Sequence, residues 1–128
     1  MLGPVTILLI ALGGASGAVA RYLVDGFVVE RTGATFPWGT FVINVSGSFV
    51  LGLLFALGIE RDVLSREIRA PLMIGFLGAY TTFSTWMLET WRLAEDGAVA
   101  LALANAGGSL LAGIVAVFAG LTIGRLIA

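Results

Sequence analysis

Four stretches of this chain run on without a charged residue, and the charges gather between them. Residues 4–20 form the first stretch, ended by Arg21, and Leu23–Val29, interrupted by Asp25, extends it. Arg31 and Glu60 bracket the second, Arg69 and Glu89 the third, and residues 97–124 make the fourth. A helix needs about 20 apolar residues to cross a bilayer core. Each run meets that length, the first provided that Arg21 lies near its end. The chain is 59% hydrophobic and 12% charged over 128 residues, with mean hydropathy +1.04. A soluble domain carries about 25% charged residues, and one this small has too much surface to hide so many apolar side chains. The solvent they imply is lipid. The expected fold class is an all-α membrane protein of four transmembrane helices, one domain over residues 1–128 with spans near 4–29, 36–59, 69–92 and 97–125. No basic segment precedes the first run, so it reads as a span and not as a signal peptide.

Several function classes fall away on composition. Cysteine is absent, which excludes a disulfide framework and a thiolate metal site. Histidine is absent too, removing the commonest metal ligand and the usual proton carrier near neutral pH. A net charge of −1 gives nucleic acid nothing to bind. No nucleophile–base set and no metal cluster is visible, so the chain is not expected to be an enzyme.

Four spans bring both termini to one membrane face, with Arg61, Arg66, Arg69 and Arg125. The opposite face holds Arg21, Arg31 and Arg92. Orientation follows the bias in basic residues, and here the bias is slight. Two readings follow. The chain inserts both ways round and opposite copies pair about a two-fold axis in the membrane plane, or the loop Asp62–Arg69 fixes a single orientation.

Small residues mark where helices touch. The first span carries Gly13-Gly14-Ala15-Ser16-Gly17-Ala18, and the fourth carries Ala104, Gly107, Gly108, Ala112, Gly113, Ala116, Gly120 and Gly124. In lipid, helices gain little from burying apolar surface, and close backbone approach takes over.

The third span departs from this plan. Gly75-Phe76-Leu77-Gly78-Ala79-Tyr80-Thr81-Thr82-Phe83-Ser84-Thr85-Trp86 places two glycines and then a cluster of hydroxyls in an apolar helix. Glycine weakens a helix, and Ser and Thr compete for its backbone bonds. A break here would free carbonyls that suit a cation and N–H groups that suit an anion. The alternative is an intact helix whose hydroxyls bond to the preceding turn. Thr40, Asn44 and Ser48 lie four apart in the second span, and Asn105 and Ser109 repeat that spacing in the fourth. Residues so spaced share a helix face. These uncharged donors suit either interhelical glue or a path for a small anion. Phe83 and Trp86 contribute ring edges with partial positive charge, or simply pack.

Three blocks then resemble the signature segments of the Fluc (CrcB) family of fluoride channels. They are G-G-A-S-G-A-V-A-R-Y from Gly13, P-W-G-T-F-V-I-N-V-S-G-S-F-V-L-G from Pro37, and G-F-L-G-A-Y-T-T-F-S-T-W-M-L-E from Gly75. The blocks follow the family's order, and the four-span plan covers the chain. The resemblance implies an antiparallel, dual-topology homodimer in a prokaryotic cell membrane, with the lipid bilayer around it and two pores that pass fluoride passively. It implies a structural sodium ion (Na+) at the dimer centre, held by main-chain carbonyls that map to Gly78 and Thr81. Asn44 matches the family's pore asparagine and Phe83 the first aromatic of its phenylalanine pair. With Trp86, Thr40, Thr82, Ser84, Asn105 and Ser109, they form the expected fluoride path. Arg21 and Glu89 match its vestibule.

Three positions depart from the family pattern. Trp86 stands where a second phenylalanine is expected, Asn105 where an aromatic is, and Gly113 where a hydroxyl residue is. They bring in a further reading, one subunit of a heterodimeric fluoride channel. A small multidrug-type antiporter is the competing class, also four-span and dual-topology. It needs a membrane-buried carboxylate; the first span has no acid among residues 1–20, and Glu89 lies near the end of its span.

Overall fold

The apolar runs fold as helices. The computed structural model describes residues 3–128, so the first two residues of the expected domain lie outside the described part. Helix α1 spans Pro4–Thr32. Proline in its first turn loses no helical hydrogen bond, and Gly33, at φ +75°, ends it. The helix passes straight through Arg21, whose Nε donates to the Ala79 carbonyl at 3.3 Å. Helix α2, Trp38–Phe55, runs on into a π-helical turn over Ala56–Glu60.

The third run is not one helix. Helix α3 (Arg66–Ala70) leads through a π-helical turn (Pro71–Phe76) into α4 (Leu77–Tyr80). The backbone is then extended at Thr81 (φ −77°, ψ 156°) and Thr82 (φ −148°, ψ 119°), and α5 begins at Phe83 and ends at Glu95. The break therefore falls within the hydroxyl cluster, directly after the Gly78–Tyr80 turn. Helix α6 covers Val99–Ile127. Among the described residues there is no strand, and three helices are long and apolar enough to cross a membrane: Pro4–Thr32, Trp38–Glu60 and Val99–Ile127.

Close contacts fix how the pieces run. A Cβ on Gly75 would meet the Ile10 carbonyl at 2.6 Å, one on Gly17 would overlap the Phe76 carbonyl, and Arg21 reaches Ala79. α1 therefore runs parallel to the broken segment. Gly52 lies on Val117, Gly120 on Phe49 and Gly124 on Leu53 and Ala56, so α2 and α6 also run parallel. Asn44 reaches Thr82 and Thr40 reaches Glu89, which sets α2 antiparallel to the broken segment. At the lower end Arg125 pairs with Glu60 through two contacts of 2.7 Å, and Arg61 donates to the Arg125 carbonyl. Arg69 pairs with Asp62 and holds the Leu64 carbonyl, ordering the loop before α3.

The distribution of side chains is inverted relative to a soluble protein. The buried side chains are few and partly polar: Ile43, Ala56, Leu77, Ala102 and Ala116, with Thr40, Asn105 and Ser109. Large apolar side chains such as Leu8, Leu12, Phe27, Leu103, Leu111 and Phe118 face outward. A protein with polar groups inside and hydrocarbon outside fits lipid and not water. The chain is a multi-pass membrane protein. Only part of the α6 small-residue stripe packs within the protomer: Gly120 and Gly124 meet α2, while Gly107 and Gly108 have nothing within 4 Å.

Candidate functional site at the broken helix

The break is held open by one asparagine. In a continuous helix the Thr82 N–H would bond the Gly78 carbonyl. Here it donates to Asn44 Oδ1 at 2.8 Å, and Asn44 Nδ2 donates to the Thr82 carbonyl at 2.9 Å. The Asn44 amide thus clamps both polar groups of the residue at which the helix stops. Neighbouring bonds support the clamp. The Thr81 hydroxyl donates to the Leu77 carbonyl at 2.9 Å, completing the end of α4. The Thr82 hydroxyl accepts from the Thr85 N–H at 3.2 Å, the N-cap that starts α5. Tyr80, stacked on Phe76, pairs its hydroxyl with Ser46 at 3.0 Å. Gly47 leaves room for Thr81 and Tyr80 to approach α2.

Two helix ends of opposite polarity therefore meet. The carbonyl end of α4 carries partial negative charge and the N–H end of α5 partial positive charge. The Gly78 and Thr81 carbonyls take none of the hydrogen bonds found among the described residues, and neither do the Phe83 and Ser84 N–H groups donate one. Gly78, Phe83 and Ser84 are exposed on the protomer and Thr81 is half-buried, and such groups need partners wherever water is excluded. A hard cation that binds through oxygen suits the free carbonyls, so the residues expected to hold sodium have the right chemistry for it. Among the described residues no group of acidic or other metal-ligating side chains competes for that role.

An open cavity of about 370 Å³ lies against the break. Asn44, Gly78, Thr81, Thr82, Phe83, Trp86 and Ser109 all line it, together with Gly47, Ser48, Gly113 and apolar side chains. No lining side chain is charged. Phe83 is 70% exposed and meets Trp86 edge-to-face, with ring centroids 5.6 Å apart at 84°. Not every expected path residue is there. Ser84 is exposed outside the cavity. Asn105 lies behind the wall, 1% exposed, because its amide is used by Thr90 and Ser109. Thr40 faces a separate pocket of about 200 Å³ with Arg21, Asp25, Thr82 and Thr85, and its hydroxyl donates to Glu89 Oε1 at 2.5 Å. Glu89 in turn borders a pocket of about 400 Å³ with Asp25, Arg92 and Asp96, toward the outer ends of α1, α2 and α5. Arg21 and Glu89 thus border two separate pockets outside the cavity at the break, while Thr82 borders both that cavity and the pocket with Arg21.

The sequence reading did not single out Thr90 or Ser46. Thr90 has a signal in hindsight, since it follows Trp86 by four residues and so shares its helix face. Tyr80 and Ser46 come together only in the tertiary structure.

Comparison with known proteins follows the same lines. The family model for CrcB-like protein, Camphor Resistance (CrcB), matches residues 8–121. A fluoride-specific ion channel FluC of Solidesulfovibrio magneticus is 49% identical over 92% of this chain and 94% of its own length. The FluC of Magnetococcus marinus is 47% identical, covering 92% and 96%, and that of Geobacter sulfurreducens is 45% identical, covering 94% and 97%.

Proposed function

The chain belongs to the CrcB-like family, and from that premise we propose that it is a channel that exports fluoride passively through the cell membrane. The observation that carries this reading is the cavity at the break, lined by uncharged hydrogen-bond donors and aromatic edges. Fluoride must exchange a tightly held hydration shell for protein donors. Conduction also needs sites favourable enough to enter and weak enough to leave. Neutral amide, hydroxyl and ring-edge groups meet both demands better than a fixed cation. Arg21 near the mouth draws the anion in without holding it along the path.

In this proposal the broken segment also crosses the membrane, which brings the spans to four. A break at membrane depth persists only where protein, water or an ion satisfies its backbone. Asn44 satisfies part of it. Sodium bound by the Gly78 and Thr81 carbonyls would neutralise the negative end of α4 and tie two copies together on their two-fold axis. The second copy enters antiparallel, covering the open cavity and the unpartnered Gly107–Gly108 surface. Phe83, projecting from its own protomer, then supplies ring edges at the seam. Two pores per dimer follow from the symmetry.

Hydrogen fluoride enters cells as a neutral acid and ionises inside. The negative-inside potential then drives the anion out through any open path, by about 2.3 kcal/mol per charge at 100 mV. No proton carrier is required. The test is efflux from liposomes holding the purified protein, followed with a fluoride-selective electrode. Rapid fluoride release with chloride retained is the expected result. Equal release of both ions, or of neither, would overturn the reading.

A further inference from the structure

We propose that Asn105 is a positioning residue which, through Thr90, fixes the Trp86 indole so that its ring, and not its N–H, faces the cavity. Four hydrogen bonds carry the inference. Trp86 Nε1 donates to the Asn105 carbonyl at 3.0 Å. The Asn105 amide nitrogen donates to Thr90 Oγ1 at 2.9 Å, and the Thr90 hydroxyl donates to the Trp86 carbonyl at 2.8 Å. These three close a ring that joins α5 to α6 at the tryptophan. The fourth ties the ring to the cavity wall: Ser109 Oγ donates to Asn105 Oδ1 at 3.4 Å.

The ring has a consequence for an anion. An indole N–H free in an apolar cavity is a strong, directional donor that would hold fluoride. In this chain that donor is already engaged on a helix carbonyl. What Trp86 presents is an aromatic surface locked edge-to-face with Phe83, a weak site of the kind conduction needs. The locking depends on Asn105 because it is 1% exposed. Its amide has no water to turn to, so the bond to Thr90 fixes both helices in register. Thr90 does not line the cavity and is not among the expected path residues, which makes it the position at which to test the device.

The inference rests on the cavity being the anion path, and the experiment separates the two. The indole N–H proton of Trp86 is followed by proton–nitrogen NMR in the purified dimer, assigned by elimination with Trp38→Phe and Trp91→Phe, two exposed positions. Sodium fluoride is titrated against sodium chloride as control. The wild-type Trp86 resonance is expected to move no more in fluoride than in chloride. A fluoride-specific shift of that resonance would overturn the proposal without any variant having to fold. Thr90→Ser retains the hydroxyl and should keep both the resonance and the flux of wild type. Thr90→Val retains the shape and breaks the ring. It should displace or broaden the Trp86 resonance, make it fluoride-sensitive and slow efflux by roughly tenfold, the slowing expected if a freed indole donor holds fluoride about 1.4 kcal/mol more tightly. An unmoved resonance in Thr90→Val also overturns the proposal. If wild type releases no fluoride, the channel reading fails while the Trp86 titration still decides the orientation of the indole.

Discussion

Asn44 serves the break with both ends of its amide, and that double use sets what its substitutions do. Aspartate at this position keeps an acceptor for the Thr82 N–H, loses the donor to the Thr82 carbonyl and adds negative charge. Asn44→Asp should therefore lose about 1–3 kcal/mol of stability, the cost of an unpaired buried carbonyl, and lose fluoride efflux far beyond that. Phe83 makes the contrast. At 70% exposure it supports little of its own protomer. Phe83→Ile keeps apolar bulk and removes the ring edge, so its thermal unfolding should match wild type while efflux falls at least tenfold, as expected when a site worth over 1 kcal/mol is removed. Size-exclusion profiles and efflux rates, measured on the same preparations, check both. Wild-type efflux from well-folded Phe83→Ile would remove that ring from the path.

Among the elements, the contact of α2 with α6 is the most extensive. Helix backbones approach so closely at Gly52 and Gly120 that a Cβ at either would overlap main-chain atoms of the other helix. Gly120→Val should destabilise the protein by at least about 1–3 kcal/mol through overpacking. Gly107→Ala has open space around it, so it should leave the protomer's unfolding temperature unchanged or slightly raised by helix propensity. Equal melting of the two variants in detergent would refute this packing account. The comparison also shows how far the sequence was legible. The break was readable because glycines and hydroxyls are local signals, and Thr81–Thr82 lie inside the cluster that announced it. The small-residue stripe in α6 was readable as a packing surface, but not which half of it meets α2. Asn44 was readable as a polar residue needing a partner. Its pairing with Thr82 was not, because that bond spans 38 residues and exists only once α2 packs on the broken segment. The first span was expected near 4–29, and α1 runs through Arg21 to Thr32; the Arg21 bond to the Ala79 carbonyl, 58 residues away, was not readable. The π-helical turns left no mark in the pattern.

At the scale of the molecule, charge and solvent decide orientation. Arginines divide four to three between the two faces expected of a four-span chain, and the proposed antiparallel homodimer requires insertion both ways round. Reporter tags at the C-terminus should consequently signal on both sides of the membrane, and adding two arginines to one loop should collapse the signal to one side. A one-sided signal in the unmodified protein would contradict the antiparallel homodimer. The cavity at the break has no charged lining, and the chain has no histidine, so neither offers a proton route there. The central claim is that fluoride moves through it alone and uncoupled. Current across a planar bilayer under a tenfold fluoride gradient measures this most directly. The reversal potential should lie near 59 mV, the value for one charge per tenfold ratio, and stay there when a pH gradient is imposed. A reversal potential that follows the pH gradient, or that sits near zero with chloride balancing the current, would contradict the account.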